Sequence, residues 1–468
     1  MATETPRRKT KIVCTIGPAT ASPETLRALM DAGMNVARLN FSHGSHAEHG
    51  EVIARIRALA DELDRPVAIL QDLAGPKVRI GAFVEGAIEL DPGDAFTLTT
   101  REIEGTRHEV SVSYAGLPGE VRPGHRLMLA DGKVELEVTA VADQDIQTRV
   151  VVGGALSARK GVNAPSGLYG VPILGEQDRL DVAFGVAEHV DYVGLSFVRT
   201  AEDVRIAKRE IATHAGEVPV IAKIETQAAL EHFDEILAEA DGIMIARGDL
   251  SIETPFARVP IVQKELLRKA NVVAKPAITA TQMLYSMVEQ PSPTRAEVAD
   301  VANAIVDGSD AVMLSDETTV GKYPVRAVET MATIAEETER ACRDGLTLTG
   351  SEDRRDGPEP EAEALALAAC QLAARLNADV IGTITRTGST VRYVSRHRPH
   401  QQVLAFTSDE VIYRRLPLLR GVVPFLLDAD GDDPDAMVRE GVFAAEQHGW
   451  SGRRVVFVSR DTIRWGRL

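Results

Sequence analysis

The chain has 468 residues and a formal net charge of −17, with 44% hydrophobic and 26% charged residues. That make-up fits a soluble globular protein with length for two or three domains, and the acidity excludes a general affinity for nucleic acid or anionic membranes. Aromatics at 4% are too few for a base-stacking platform, and the three cysteines (Cys14, Cys342, Cys370) have neither disulfide nor metal-ligand spacing, as expected of a reducing cytoplasm.

Thr5-Pro6-Arg7-Arg8-Lys9 reads as a solvated basic leader without the apolar segment of a signal peptide, and no apolar run reaches membrane-spanning length. From Lys11 to about Arg343, short β-branched runs alternate with longer amphipathic stretches. The runs are Ile12–Thr15, Val36–Asn40, Val67–Gln71, Tyr192–Ser196, Val218–Lys223, Gly242–Ala246, Ala277–Thr281 and Ala311–Leu314. Ser22-Pro23-Glu24 sets a capping residue before a proline suited to a first helical turn, and Ser292-Pro293 repeats the device. Eight strand–helix alternations predict a parallel sheet, and eight is the number that closes a (β/α)8 TIM barrel. Arg38, Asn40, Asp72, Lys223, Glu225, Asp249, Thr281 and Ser315 then fall at the carboxyl ends of the strands, where such barrels keep their active sites.

One connection departs from this rhythm. Between Asp72 and about Gly175, turn signals such as Pro92-Gly93, Pro123-Gly124 and Asp131-Gly132 separate alternating stretches such as Val134-Glu135-Leu136-Glu137-Val138. This predicts an inserted antiparallel β-barrel domain that hangs over the barrel mouth as a lid. A polar linker over Gly350–Glu361 follows, then a helix over Glu361–Asn377, a strand over Val380–Thr383 and further αβ units. The expected division is 1–74 and 171–345 for the barrel, 75–170 for the lid, and 346–468 for a C-terminal open α/β domain.

Lys223 and Glu225 end one apolar run and Asp249 ends the next. Two carboxylates from different strands make a site for a hard cation with positions left for substrate oxygens, and an ammonium beside them stabilises developing negative charge. A structural ion-pair cluster is the alternative reading of the same residues.

Longer motifs decide between the two. Lys11-Ile12-Val13-Cys14-Thr15-Ile16-Gly17-Pro18, Met34–Gly44, Ala246-Arg247-Gly248-Asp249-Leu250, Ala280-Thr281-Gln282-Met283-Leu284 and Pro293-Thr294-Arg295-Ala296-Glu297 resemble, in order, the segments of pyruvate kinase. The resemblance implies phosphoryl transfer from phosphoenolpyruvate to ADP, giving pyruvate and ATP. It implies Glu225 and Asp249 as ligands of Mg²⁺ or Mn²⁺, with Lys223 and Arg38 stabilising the phosphoryl group. Gly248 and Asp249 would receive the substrate carboxylate on backbone amides; Thr281 and Ser315 would stand near the enolate carbon, where the Thr281 hydroxyl would help relay a proton to it, with water as the alternative final donor. His43, Arg79 and Lys160, with Asn40, would reach the nucleotide. Asn40 and Ser42 have the alternative role of capping the next helix, while Glu317 and Arg295 are expected to brace the site.

In the family, Asn40, Ser42, Asp72 and the Leu73 carbonyl would hold K⁺. Here Lys77 stands where the family has glutamate, Leu73 and Ala74 replace threonine and lysine, and Ser251 and Asp316 replace glycines. A fixed ammonium at Lys77 suggests that K⁺ is not required; the alternative is that Lys77 points away and pairs with a surface acid. Thr385-Arg386-Thr387-Gly388-Ser389-Thr390 lies between a strand and a helix, as a phosphate cradle for an effector would, with Arg392, Arg396 and Arg398 adding charge; a well-capped helix is the plainer alternative. Relatives continue past Arg464-Trp465-Gly466-Arg467-Leu468 with a glycine-rich loop and a last strand, which puts effector closure in question. A cytoplasmic homotetramer is expected. The rivals are a metal-dependent pyruvate or phosphoenolpyruvate lyase or aldolase, and a metabolite-sensing paralogue of weak activity.

Overall fold

The eight apolar runs become a closed parallel barrel in a computed structural model that describes residues 8–164, 170–343, 360–428, 433–459 and 461–468. Its strands are β1 (Lys11–Thr15), β2 (Val36–Asn40), β3 (Ala68–Asp72), β4 (Tyr192–Leu195), β5 (Val220–Ile224), β6 (Gly242–Ala246), β7 (Ala277–Ala280) and β8 (Ala311–Leu314). Each pairs in parallel with its neighbours in sequence, and β1 closes the barrel against β8. Alternate residues face opposite ways, as the pleat requires. Ile12 and Cys14 join Leu26, Leu29 and Met30 in the cluster beneath the outer helices, while Val13, Leu70, Ile221 and Met244 fill the barrel interior. Burying each such aliphatic side chain is worth about 1.5–3 kcal/mol. β7 stops at Ala280, which leaves Thr281 just outside the sheet.

Ser22 caps the helix Pro23–Ala32 through the Thr25 amide, with the proline in its first turn, as read from sequence. The second case differs. Thr294, not Ser292, caps the helix Arg295–Val306, because Thr294 and Glu297 form a reciprocal capping box two residues further on. Nor are Arg8 and Lys9 part of a solvated leader. The Arg8 guanidinium bonds the carbonyls of Thr10 and Gly33 at 2.6 and 2.5 Å, and the Lys9 amide gives its hydrogen to Glu339 at 2.8 Å. The rest of that leader, residues 1–7, lies outside the described residues, as does the expected linker except for Pro360 and Glu361.

The insertion is a six-stranded sheet beside a two-stranded one, rather than a single closed barrel, and is antiparallel apart from the pairing of Ala95–Thr99 with Glu109–Ser111. Its alternation is plain in the strand Val134–Ala142, where Val134, Leu136 and Val138 are buried with Phe96, Leu127 and Ile146 in a core separate from the barrel's. The C-terminal domain is a five-stranded sheet with a helix over Pro360–Arg375 and a first strand over Val380–Ile384. A last strand is present: Ile463–Arg467 pairs antiparallel with Arg454–Val458. This domain docks under the barrel, where Lys11 bonds the Val422 carbonyl at 2.6 Å, Arg398 pairs with Asp310 at 2.7 Å, and Leu418 joins the interior cluster.

Candidate active site

Lys223 ends the inward row of β5, and its ammonium is the hub of the barrel mouth. Nζ donates to the Ser196 hydroxyl at 2.6 Å and lies 3.2 Å from Asp72 and 3.5 Å from Glu225. Burial would lower its pKa, yet Asp72 and Glu225 together raise it, so the side chain stays an ammonium. Arg38, from β2, bonds Asp72 at 2.5 Å through Nε and the Thr15 hydroxyl at 2.9 Å through Nη1. Burial alone would raise the pKa of Asp72, but Lys223 and Arg38 outweigh it and hold the carboxylate ionised. Two cations thus share Asp72, and Lys223 also faces Glu225.

Glu225 is fully buried. Its Oε1 accepts the Phe197 amide at 2.7 Å, whereas Oε2 has no hydrogen-bond partner and meets the Lys223 ammonium at 3.5 Å. Burial, with Asp249 nearby, pushes its pKa up to about 7. A buried carboxylate oxygen without a donor is costly unless a cation completes it. Asp249, half-buried in the first turn of the short helix Arg247–Glu253, supplies the second carboxylate. The pair therefore fits a divalent ion with most coordination positions open to substrate.

Thr281 faces this pair from the end of β7. Its φ is +72°, rare for a β-branched residue and costing about 1–3 kcal/mol. Arg247 holds it there, bonding the carbonyls of Thr281 and Ala280 at 2.9 and 3.2 Å and both oxygens of Asp300 at 2.7 Å. The Thr281 hydroxyl accepts the Gly248 amide at 2.8 Å and donates to Ala280 at 2.7 Å. Gly248 is thus already engaged, contrary to its expected role as a free amide for a substrate carboxylate. Ser315 gives its amide to Glu317 at 2.8 Å, and the other Glu317 oxygen takes the Leu284 amide at 3.0 Å. Glu317 braces two loops at once. Arg295 is exposed at the start of its helix.

On the nucleotide side, His43, Arg79 and Lys160 are all exposed; Arg79 bonds the Arg159 carbonyl at 3.2 Å, and its backbone bridges to Gly161 within the lid. Asn40 and Ser42 do not cap the helix His46–Glu62, which Ser45 and Glu48 cap instead; the Asn40 side chain accepts the Ser42 amide at 3.2 Å. The oxygens expected around K⁺ are engaged too, since Asp72 serves Lys223 and Arg38 while the Leu73 carbonyl accepts the Ser196 hydroxyl at 2.7 Å. Lys77 leans toward the lid, with Nζ 3.9 Å from the exposed Asp131. In the C-terminal domain, the Thr385 hydroxyl accepts the Gly388 amide at 2.8 Å ahead of the helix Ser389–Arg396. Only Arg392 of the three arginines is exposed; Arg396 is buried in an ion pair with Glu363, and Arg398 is buried against Asp310. Neither buried residue adds charge to the cradle.

Ser196 and Arg247 are the groups that sequence reading passed over. Ser196 ended an apolar run, and nothing local marks its hydroxyl as the relay between Lys223 and β3. Arg247 sat inside a quoted motif, and its role depends on Asp300, 53 residues away.

Residues 7–328 match the family model "Pyruvate kinase, barrel domain", and residues 363–466 match "Pyruvate kinase, alpha/beta domain". The chain is 49% identical to pyruvate kinase 2 of Synechocystis sp. over 425 residues, covering 90% of this chain and 71% of that one. It is 44% identical to the pyruvate kinase of Thermotoga maritima over 442 residues, 94% and 93% of the two chains. The crystal structure of a pyruvate kinase from Cryptosporidium parvum superposes with a TM-score of 0.91 at 35% identity, covering 98% of this chain and 96% of that one. Matched in both its parts, the chain belongs to the pyruvate kinase family and is a phosphotransferase.

Proposed function

We propose that the barrel mouth transfers the phosphoryl group of phosphoenolpyruvate to ADP, giving pyruvate and ATP. One observation carries this reading: a buried ammonium, Lys223, lies within 3.5 Å of two carboxylates, one of which keeps an oxygen without a donor. Phosphoryl transfer asks chiefly for positioning and charge. Lys223 and Arg38 face the phosphoryl oxygens and lend their charge to the group in flight. Glu225 and Asp249 would hold Mg²⁺ or Mn²⁺, which would supply positive charge to the reacting oxygens. Thr281, whose hydroxyl hydrogen is committed to Ala280, orders the wall from which the enolate carbon takes its proton. Ser315 stands behind it, and Arg79, Lys160 and His43 meet the nucleotide phosphates. The test is a mixture of phosphoenolpyruvate, ADP and Mg²⁺ in which ATP and pyruvate appear one to one. Pyruvate and inorganic phosphate released from phosphoenolpyruvate without ADP would mean hydrolysis instead of transfer.

The transfer runs without K⁺. Supporting this, the oxygens of Asp72, Leu73 and Asn40 are already engaged; Lys77 leans toward Asp131 of the lid at 3.9 Å and would repel the ion only on swinging back to this wall. Two like charges within about 4–6 Å disfavour each other. Activity in tetramethylammonium salts at fixed ionic strength should change little on adding KCl, and Lys77→Glu should acquire dependence on it. Activation of the parent by more than about fivefold, over 1 kcal/mol of coupling, rules this out.

The Thr385–Thr390 loop, which leads into the helix Ser389–Arg396, is the candidate cradle for a phosphorylated effector, with the exposed Arg392 as its nearby cation. A cytoplasmic homotetramer is the assembly the family resemblance supports. No helix among the described residues is long and apolar enough to cross a membrane.

A further inference from the structure

The chain leaves the barrel for the lid after β3 and returns at the helix Glu176–Ala187, and one side chain touches both linkers. Asp178, buried in the first turn of that helix, accepts the Gly75 amide on Oδ1 at 3.0 Å and the Gly175 amide on Oδ2 at 2.9 Å. The bond to Gly175 is an ordinary capping contact, in which an acidic residue in the first turn reaches back to the cap amide. The bond to Gly75 is not, for it spans 103 residues and joins the outgoing linker to the returning one. Both are charge-assisted and draw on one rigid group.

The outgoing linker also bears on the reaction site. Gly75 has φ +69°, and a Cβ there would meet Ser196 Cβ at 2.8 Å, so the backbone lies directly on the residue that links Lys223 to the Leu73 carbonyl. The returning linker has a second anchor, the Val171 carbonyl, which takes Arg199 at 2.8 Å.

We propose that Asp178 is the clasp of the lid hinge. Its carboxylate ties the two linkers at one point and thereby sets where Arg79 and Lys160 stand over the mouth, which makes it a positioning residue for ADP. The assignment rests on the lid being the nucleotide side of a phosphotransferase site, as proposed above.

The test uses the full-length protein with Asp178→Ala, and with Asp178→Asn, which keeps one acceptor, as a milder variant should the first fold poorly. Amide exchange is followed in peptides spanning Gly75 and Gly175, alongside KM for ADP and for phosphoenolpyruvate. With Asp178→Ala, exchange should rise about tenfold or more at both amides, the size of one lost charge-assisted hydrogen bond each. KM for ADP should rise at least about fivefold while that for phosphoenolpyruvate moves less than about twofold; Asp178→Asn should shift the same readouts less. A capping role alone predicts faster exchange at Gly175 and none at Gly75, which overturns the proposal, as do equal shifts in the two KM values. If the parent transfers no phosphoryl group, the nucleotide reading fails, and exchange at Gly75 decides the clasp by itself.

Discussion

Lys223→Met should lower kcat by about 10²–10³ or more, with kcat/KM falling equally, because the variant loses charge that acts on the transition state rather than on bound substrate. The ammonium is preorganised: Ser196 fixes it at 2.6 Å, while Asp72 and Glu225 keep it charged. Methionine preserves most of the volume and none of the charge. It also leaves Glu225 without its neighbouring cation, and breaking a buried pair costs about 3–5 kcal/mol. Stability must therefore be followed by thermal unfolding in the same samples. A folded variant with near-normal turnover rejects the assignment of Lys223.

The second large effect is expected in metal binding. Glu225→Gln retains an oxygen for the Phe197 amide but removes the charge on Oε2, which faces Lys223. Asp249→Asn removes the other charged ligand. Each should weaken Mn²⁺ binding by on the order of 10–100-fold, since hard divalent ions depend on ligand charge. Calorimetry or Mn²⁺ resonance gives the comparison without reference to turnover. Titrations unchanged in both variants would make the two carboxylates structural.

The barrel was legible because its strands are short, buried on both faces and β-branched, so the runs at Val36–Asn40, Gly242–Ala246 and Ala311–Leu314 have the bounds read from sequence. The site residues at strand ends followed from the barrel itself. What stayed hidden were partners that meet only after folding. Ser196, Arg247 and Asp178 take their roles from groups 27 to 103 residues away, and no local pattern encodes those distances. Charge read from sequence also misled where burial decides. Arg396 and Arg398 looked like cradle charges until the fold placed them against Glu363 and Asp310. Helix starts failed by two residues at Ser292 for a related reason. The reciprocal box of Thr294 with Glu297 satisfies two amides at once, where a lone serine satisfies one.

The central claim is that Lys223 and Glu225 belong to one reacting constellation and not to a structural ion pair. A double-mutant cycle in kcat/KM over Lys223→Met and Glu225→Gln tests it most directly. Groups that act as a unit are strongly non-additive, so the double variant should lie within about tenfold of the worse single variant. A loss equal to the product of the two single losses would show that each side chain acts alone, and would contradict the account.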